Sequence, residues 1–299
     1  MSPAPVILHA FADEAQPART LAGALGIDCK LVNVHAFPDG EMLPTVPETA
    51  PTTIVYRSLA RPDEKLIPLL LGCDAWRRAG AQRLILVAPY LCYLRQDAIF
   101  SPGQPNSQQV IGDLLGDRFD RIITVDAHLH RTPSIAAVFP QTTATDLSAA
   151  PAVAAWLTQT LPDLDFVVGP DVESEPWVRQ VAAALNADYR LFTKKRLGDD
   201  QVRLSLEDAS AFSGRTVALV DDICSSGGTL IKAAQMLKAA GARDIVACIT
   251  HALFDSTVEQ RLRAAGVTAI ASTDAVPHAT NAISLAALLA DALRAELPR

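Results

Sequence analysis

The chain lacks any run of about 18 consecutive apolar residues, the length that reads as a membrane-spanning helix, although about half of its 299 residues are hydrophobic. Aromatic residues are scarce at 5%, so the core has to be built from Ala, Leu and Val, as suits strands buried on both faces. A basic excess is also missing. The formal net charge of −7 argues against a protein that coats nucleic acid by neutralising many phosphates. It does not exclude binding of one small phosphate, which local donors decide. The five cysteines (Cys29, Cys73, Cys92, Cys224, Cys248) are odd in number and include no C-x-x-C pair, which argues against a disulfide framework or a structural zinc. The segment Met1-Ser2-Pro3-Ala4-Pro5 has no basic flank leading into an apolar run of signal-peptide type. The expectation is a soluble, reduced, cytoplasmic enzyme, with neither membrane nor nucleic acid as a partner.

What is present is an alternation of short β-branched runs and Ala/Leu-rich segments. Thr53–Tyr56, Leu84–Ala88, Ile122–Val125, Phe166–Gly169, Val217–Val220 and Ile245–Thr250 read as buried strands. Lys65–Ala79, Gln108–Leu115, Glu175–Leu185 and Thr229–Ala240 read as helices between them. Such alternation predicts an α/β fold with parallel sheets, whose ligands gather at the carboxyl ends of the strands.

The pattern also repeats. Ala79-Gly80-Ala81-Gln82-Arg83 leads into one strand as Ala240-Gly241-Ala242-Arg243-Asp244 leads into another. One step upstream, Thr53-Ile54-Val55-Tyr56-Arg57-Ser58 parallels Val217-Ala218-Leu219-Val220-Asp221-Asp222. The expectation is two similar halves, residues 1–148 and 149–299, with an acid pair in the second alone.

The strongest chemical motif is Val217-Ala218-Leu219-Val220-Asp221-Asp222-Ile223-Cys224-Ser225-Ser226-Gly227-Gly228-Thr229. A buried strand gives way to two carboxylates, then to a loop of small residues feeding a helix. Glycines let the backbone approach a ligand, and a helix N-terminus offers free N–H groups to a phosphate. The acids, repelled by that phosphate, suit sugar hydroxyls or a metal. Other strand-end segments carry Phe37-Pro38-Asp39-Gly40-Glu41, Arg95-Gln96-Asp97, Asp126-Ala127-His128-Leu129-His130 and Gly169-Pro170-Asp171. Thr193-Lys194-Lys195-Arg196 sits on an expected hairpin before Val202–Leu206 and can clamp developing negative charge.

The Asp221–Thr229 stretch resembles the 5-phosphoribosyl 1-diphosphate (PRPP) loop of type I phosphoribosyltransferases. Taken together and in this order, the segments resemble the ribose-phosphate pyrophosphokinase family over nearly the whole chain. The resemblance implies two tandem phosphoribosyltransferase-like domains and transfer of diphosphate from ATP to ribose 5-phosphate with Mg²⁺. It assigns Phe37, Asp39, Glu41, Arg95, Gln96 and Asp97 to the nucleotide, and His128 and Asp171 to metal. It assigns Asp221 and Asp222 to the ribose hydroxyls, and Cys224, Ser225, Ser226, Gly227, Gly228 and Thr229 to the rest of the ribose-phosphate site. Lys194 and Arg196 would stabilise the transition state, and a homo-oligomer is expected. Ala98 and Ile99 depart from the family pattern, in which a cation usually follows Asp97. Two other readings are a phosphoribosyltransferase that consumes PRPP and a non-catalytic regulatory subunit. The first leaves the Arg95 and Phe37 segments unexplained; the second predicts loss of the cationic or acidic motif, and both are present.

Overall fold

The computed structural model describes residues 6–196, 202–205 and 208–297. The chain divides into two compact units, one of Met1–Leu147 with Leu285–Arg299 and the other of Ser148–Ser284.

In the first unit the strands are β1 (Val6–Phe11), β2 (Asp28–Ala36), β3 (Met42–Thr45), β4 (Thr52–Tyr56), β5 (Arg83–Val87), β6 (Arg121–Val125) and β7 (Thr143–Leu147). Helices α1 (Ala15–Leu25), α2 (Asp63–Arg78) and α3 (Ser107–Gly116) and the short α4 (Ile135–Val138) connect them. Among the described residues these strands form one sheet in the order β3-β2-β1-β4-β5-β6-β7. All neighbours are parallel except the β2–β3 hairpin. Leu84, Ile85, Leu86 and Val87 are all fully buried. An unbroken apolar run of this kind is what a parallel strand covered by helices on both faces requires.

The second unit begins with α5 (Ala150–Thr160), β8 (Phe166–Gly169), α6 (Glu175–Leu185), β9 (Asp188–Leu191) and the antiparallel pair β10 (Thr193–Arg196) and β11 (Val202–Ser205). It continues with β12 (Thr216–Cys224), α7 (Gly228–Ala239), β13 (Asp244–Ala252), α8 (Ser256–Ala264), β14 (Ala269–Thr273) and β15 (Asn281–Ile283). Its main sheet runs β15-β14-β13-β12-β8-β9 and is parallel throughout.

Read from the other edge, that order repeats β2-β1-β4-β5-β6-β7. The registers agree in detail. Thr53 lies between Ile7 and Leu84, as Val217 lies between Phe166 and Ile245. After β1 and after β8 comes a three-residue 3-10 turn, then an 11-residue helix that ends on a left-handed residue, Gly26 or Asn186. Both helices bury one stripe at the spacing of an amphipathic helix: Ala18, Leu21 and Ala22 in α1, Val178, Val181 and Ala182 in α6. The repeat read in the sequence is therefore a repeat of structure, and it places Arg57 where the second unit has Asp221.

One boundary differs from expectation. Helix α9 (Ala286–Arg294) belongs to the first unit, not the second, and packs on α1. It buries Leu289, Ala290 and Leu293. Beyond it, Glu296 accepts from Arg121 Nε at 2.7 Å and from Arg83 at 2.5 Å, tying the chain end to β5 and β6.

Candidate active site

In the second unit β12 runs four residues further than the sequence suggested, so Asp221 and Asp222 stand within the strand rather than after it. Asp221 Oδ1 accepts the Asp222 amide at 3.2 Å, and Asp222 Oδ1 accepts the Ile223 amide at 2.8 Å. Ser225 and Ser226 are exposed in the following turn. Gly227 sits at φ +70°, where a Cβ would come within 2.5 Å of Val258 Cγ1. A side chain is excluded there by conformation and by space alike. The Ile231 amide bonds back to the Gly227 carbonyl at 2.8 Å, opening α7. The N–H groups of Gly228, Thr229 and Leu230 thus belong to the first turn, where no carbonyl of the helix can meet them. Cys224 is the member of the expected ribose-phosphate set that turns away. Its side chain is buried under Gly227, and its carbonyl accepts from Leu253. Burial, followed by the Asp221 charge, pushes its thiol up to about 12, so only its backbone borders the loop.

Asp171 approaches the acid pair from the end of β8. Its Oδ1 accepts the Glu173 amide at 3.1 Å, so it caps the 3-10 turn as well. Burial, then the charges of Asp222 and Asp171, push the Asp221 carboxyl well above the usual carboxylate range. A carboxyl raised by two neighbouring carboxylates favours a cation or sugar hydroxyls beside it. Among the described residues, no three or more His, Cys, Asp or Glu side chains are arranged to hold a metal by themselves. Magnesium suits such a place. It is a hard ion that commonly takes one or two carboxylates and fills its remaining positions with water and substrate oxygens. Lys194 and Arg196 lie on β10, opposite Leu204 and Val202 of β11, and their side chains lie outside the described residues.

The first unit gathers the remaining candidates on its own loops. Phe37-Pro38-Asp39-Gly40-Glu41 forms the turn between β2 and β3. It is closed by the Phe37 amide on the Glu41 carbonyl at 2.8 Å, and Asp39 Oδ1 accepts the Glu41 amide at 3.1 Å. The Phe37 ring is 39% exposed, enough to offer a face to a ligand, and its other contact is edge-on to His35 at 4.5 Å. Arg95 and Gln96 are exposed on the loop after β5, where Gln96 Oε1 accepts from Ser107 Oγ at 2.7 Å. Asp97 behaves differently from its neighbours. Its side chain is 1% exposed, and its two oxygens take the Arg131 guanidinium at 2.8 Å and the Arg131 amide at 3.0 Å. That geometry makes it a brace between the loops after β5 and β6. His128 lies on the braced loop after β6, half-buried, with its ring stacked on that of His130 at 6.4 Å. His128 and Asp171, paired by expectation as metal groups, fall in different units.

Several features of these loops have no signal in the sequence. Gln108 joins the same two loops, donating to the Leu94 carbonyl at 3.1 Å and accepting from Thr132 at 2.6 Å. Asp146 Oδ1 accepts the Ala127 amide at 2.9 Å beneath His128. Tyr93 (φ 61°) and Asp126 (φ 42°) hold left-handed backbone on the loops after β5 and β6. Non-glycine residues adopt that conformation at a cost, and they do so most often where a site demands it.

Comparison with known proteins follows this division of the chain. A family model described as the N-terminal domain of ribose phosphate pyrophosphokinase matches residues 6–117, and one described as a phosphoribosyl transferase domain matches residues 146–281. The ribose-phosphate pyrophosphokinase of Methanopyrus kandleri is 35% identical over 96% of this chain and 98% of its own length. The chain belongs to the ribose-phosphate pyrophosphokinase family. A second member, from Pyrococcus abyssi, is 35% identical over 85% of this chain and 87% of its own. Among solved structures, the phosphoribosylpyrophosphate synthetase from Mycobacterium smegmatis superposes with a TM-score of 0.83. It is 25% identical, and the match covers 98% of each chain. The family models thus cover a part of each half. No helix among the described residues is long and apolar enough to cross a membrane.

Proposed function

We propose that this chain transfers the β,γ-diphosphate of ATP to the C1 hydroxyl of ribose 5-phosphate, giving PRPP and AMP. The C1 oxygen forms a bond to the β-phosphorus, and the bond from that phosphorus to the α-phosphate oxygen breaks. The observation that carries the reading is the junction of β12 with α7. Asp171, Asp221 and Asp222 stand beside a glycine turn and the first-turn amides of a helix, which matches a sugar whose hydroxyls and phosphate lie at opposite ends. Ser225 to Thr229 take the 5-phosphate, and Asp221 and Asp222 the ribose hydroxyls. On the first unit, the Phe37 turn takes the adenine, with Asp39 and Glu41 at its edge. Arg95 and Gln96 reach the phosphates, where a guanidinium can grip two oxygens at once.

Asp171 and His128 are the protein groups assigned to magnesium, which when bound draws charge from the transferring phosphates. Lys194 and Arg196 stabilise the charge that builds in the transition state. No covalent nucleophile is required, because transfer of this kind depends mainly on positioning and charge.

Phosphorus NMR of the purified protein with ATP, Mg²⁺ and ribose 5-phosphate tests the proposal. PRPP and AMP should appear together in equal amounts. ADP in place of AMP, or no turnover, overturns it.

A further inference from the structure

We infer that an ion network in the first unit, the buried Glu14, Arg57 and Lys65 with Asp13 at its exposed edge, positions the loop Pro89–Asp97 for nucleotide binding; this rests on the reading that Arg95 and Gln96 meet ATP. The network stands at the carboxyl ends of β1 and β4, where the strand order reverses. In open α/β sheets that crevice is where a ligand belongs. The second unit keeps Asp171, Asp221 and Asp222 there. The first unit has Ala12, Arg57 and Ser58 in the matching places, and the crevice is filled from within.

Lys65 Nζ lies 2.6 Å from Glu14 Oε1 and 3.3 Å from Asp13 Oδ2, and donates to the Ser58 carbonyl at 2.7 Å. Arg57 reaches Asp13 at 2.6 Å and Glu14 at 3.3 Å, with its guanidinium 4.1 Å from the centre of the Phe11 ring. Two cations meet two acids, and Glu14 is fully buried. No net charge is left to recruit a charged ligand. The segment held in this way runs directly beside the nucleotide loop. The Arg57 amide bonds to the Val87 carbonyl and the Leu59 amide to the Tyr90 carbonyl, each at 2.9 Å. Further along, Tyr93 donates to Asp63 at 3.0 Å. These three bonds fasten both the start and the middle of the loop to the segment that Lys65 and Glu14 fix in place.

Maximal stability does not account for the network. Arg57 Nε and Ser58 Oγ are buried without a hydrogen-bond partner. A buried ion pair is in general no better for stability than well-packed apolar residues. A charged cluster that leaves polar atoms unsatisfied makes sense where it fixes a position.

The test uses the full-length double variant Glu14→Gln/Lys65→Met, which leaves no unpaired charge behind, alongside Lys65→Arg. The double variant should raise the KM for ATP about tenfold, at the lower end of what losing a supporting group costs a site. Its KM for ribose 5-phosphate should change less than about twofold. Hydrogen exchange should quicken at residues 89–97 and stay unchanged at 221–229, and Lys65→Arg should restore most of the ATP affinity. An unchanged KM for ATP in the folded double variant, or an equal rise for both substrates, overturns the inference. Failure of the unaltered protein to make PRPP overturns the catalytic reading and this inference with it, and is told apart because no substitution is involved.

Discussion

The second unit ends β12 with acids that repel one another, whereas the first ends β4 with an arginine on which two acids close. The two places match in strand order and in register, yet they answer the same electrostatic problem in opposite ways. In the second unit burial and the charges of Asp222 and Asp171 hold Asp221 above its ordinary range, and on the proposed reading a bound cation or sugar settles the site. In the first unit the charges cancel within the chain, and the crevice becomes a strut for the loop beside it. A duplicated fold can therefore lose a binding site without losing charged residues. Reversing the sign at one strand end, and supplying partners from the neighbouring turn, is enough.

The contrast breaks most visibly if the second unit's acids prove dispensable. Asp222→Ala should raise the KM for ribose 5-phosphate and lower kcat/KM by roughly 10–100-fold, the usual worth of hydrogen bonds to a charged group. Normal sugar kinetics in that variant would remove Asp222 from the site. The effects on stability should run in opposite directions in the two units. Arg57→Met leaves Glu14 buried beside a single cation and should cost about 3–5 kcal/mol in urea unfolding. Asp221→Asn relieves repulsion and should raise Tm in a chelator-containing buffer while lowering activity, because burial and the charges of Asp222 and Asp171 already hold that carboxyl above its ordinary range. If both substitutions destabilise alike, the distinction between strut and site is lost.

A smaller effect separates the units by pH. His9 in β1 is fully buried and bonded to Trp76 Nε1 at 2.7 Å, where the second unit has Val168. Burial, and then the charge of Lys30, lower its pKa to about 4 against the pull of the Glu48 carbonyl. A histidine lowered on folding is neutral in the native state, and it contributes fully above its unfolded value of about 6.5. That contribution falls away as the pH drops from about 6.5 towards 4, by an amount on the order of 3 kcal/mol. Acid unfolding followed by thermal melts should therefore begin in the first unit, and His9→Gln should flatten the dependence. An unchanged profile in His9→Gln would assign the acid sensitivity to other groups.

The sheets were legible from the sequence because their central strands are unbroken apolar runs. Phe166–Gly169 and the helix Glu175–Leu185 have the bounds expected of them. The order of strand, glycine turn and helix at Asp221–Thr229 was legible because its residues are contiguous. What escaped was whatever depends on partners distant along the chain. Lys65 and Glu14 are 51 residues apart, and Asp97 and Arg131 are 34 apart, and no local pattern in the sequence pairs them. The orientation of Cys224 escaped for a related reason. Motif position suggested the loop, whereas strand alternation, which β12 maintains to its end, turns its side chain inward. Helix α9 carries an amphipathic stripe that any neighbouring sheet could have received.

The return of α9 to the first unit has a consequence for the order of events on the ribosome. Domains usually fold as they emerge, the N-terminal one first. Here the segment that covers α1, and the glutamate that clamps Arg83 and Arg121, are translated after the whole second unit. The N-terminal half must wait, with that apolar surface uncovered, until the whole C-terminal half has been synthesised. Of the two units, the one begun first is the one finished second.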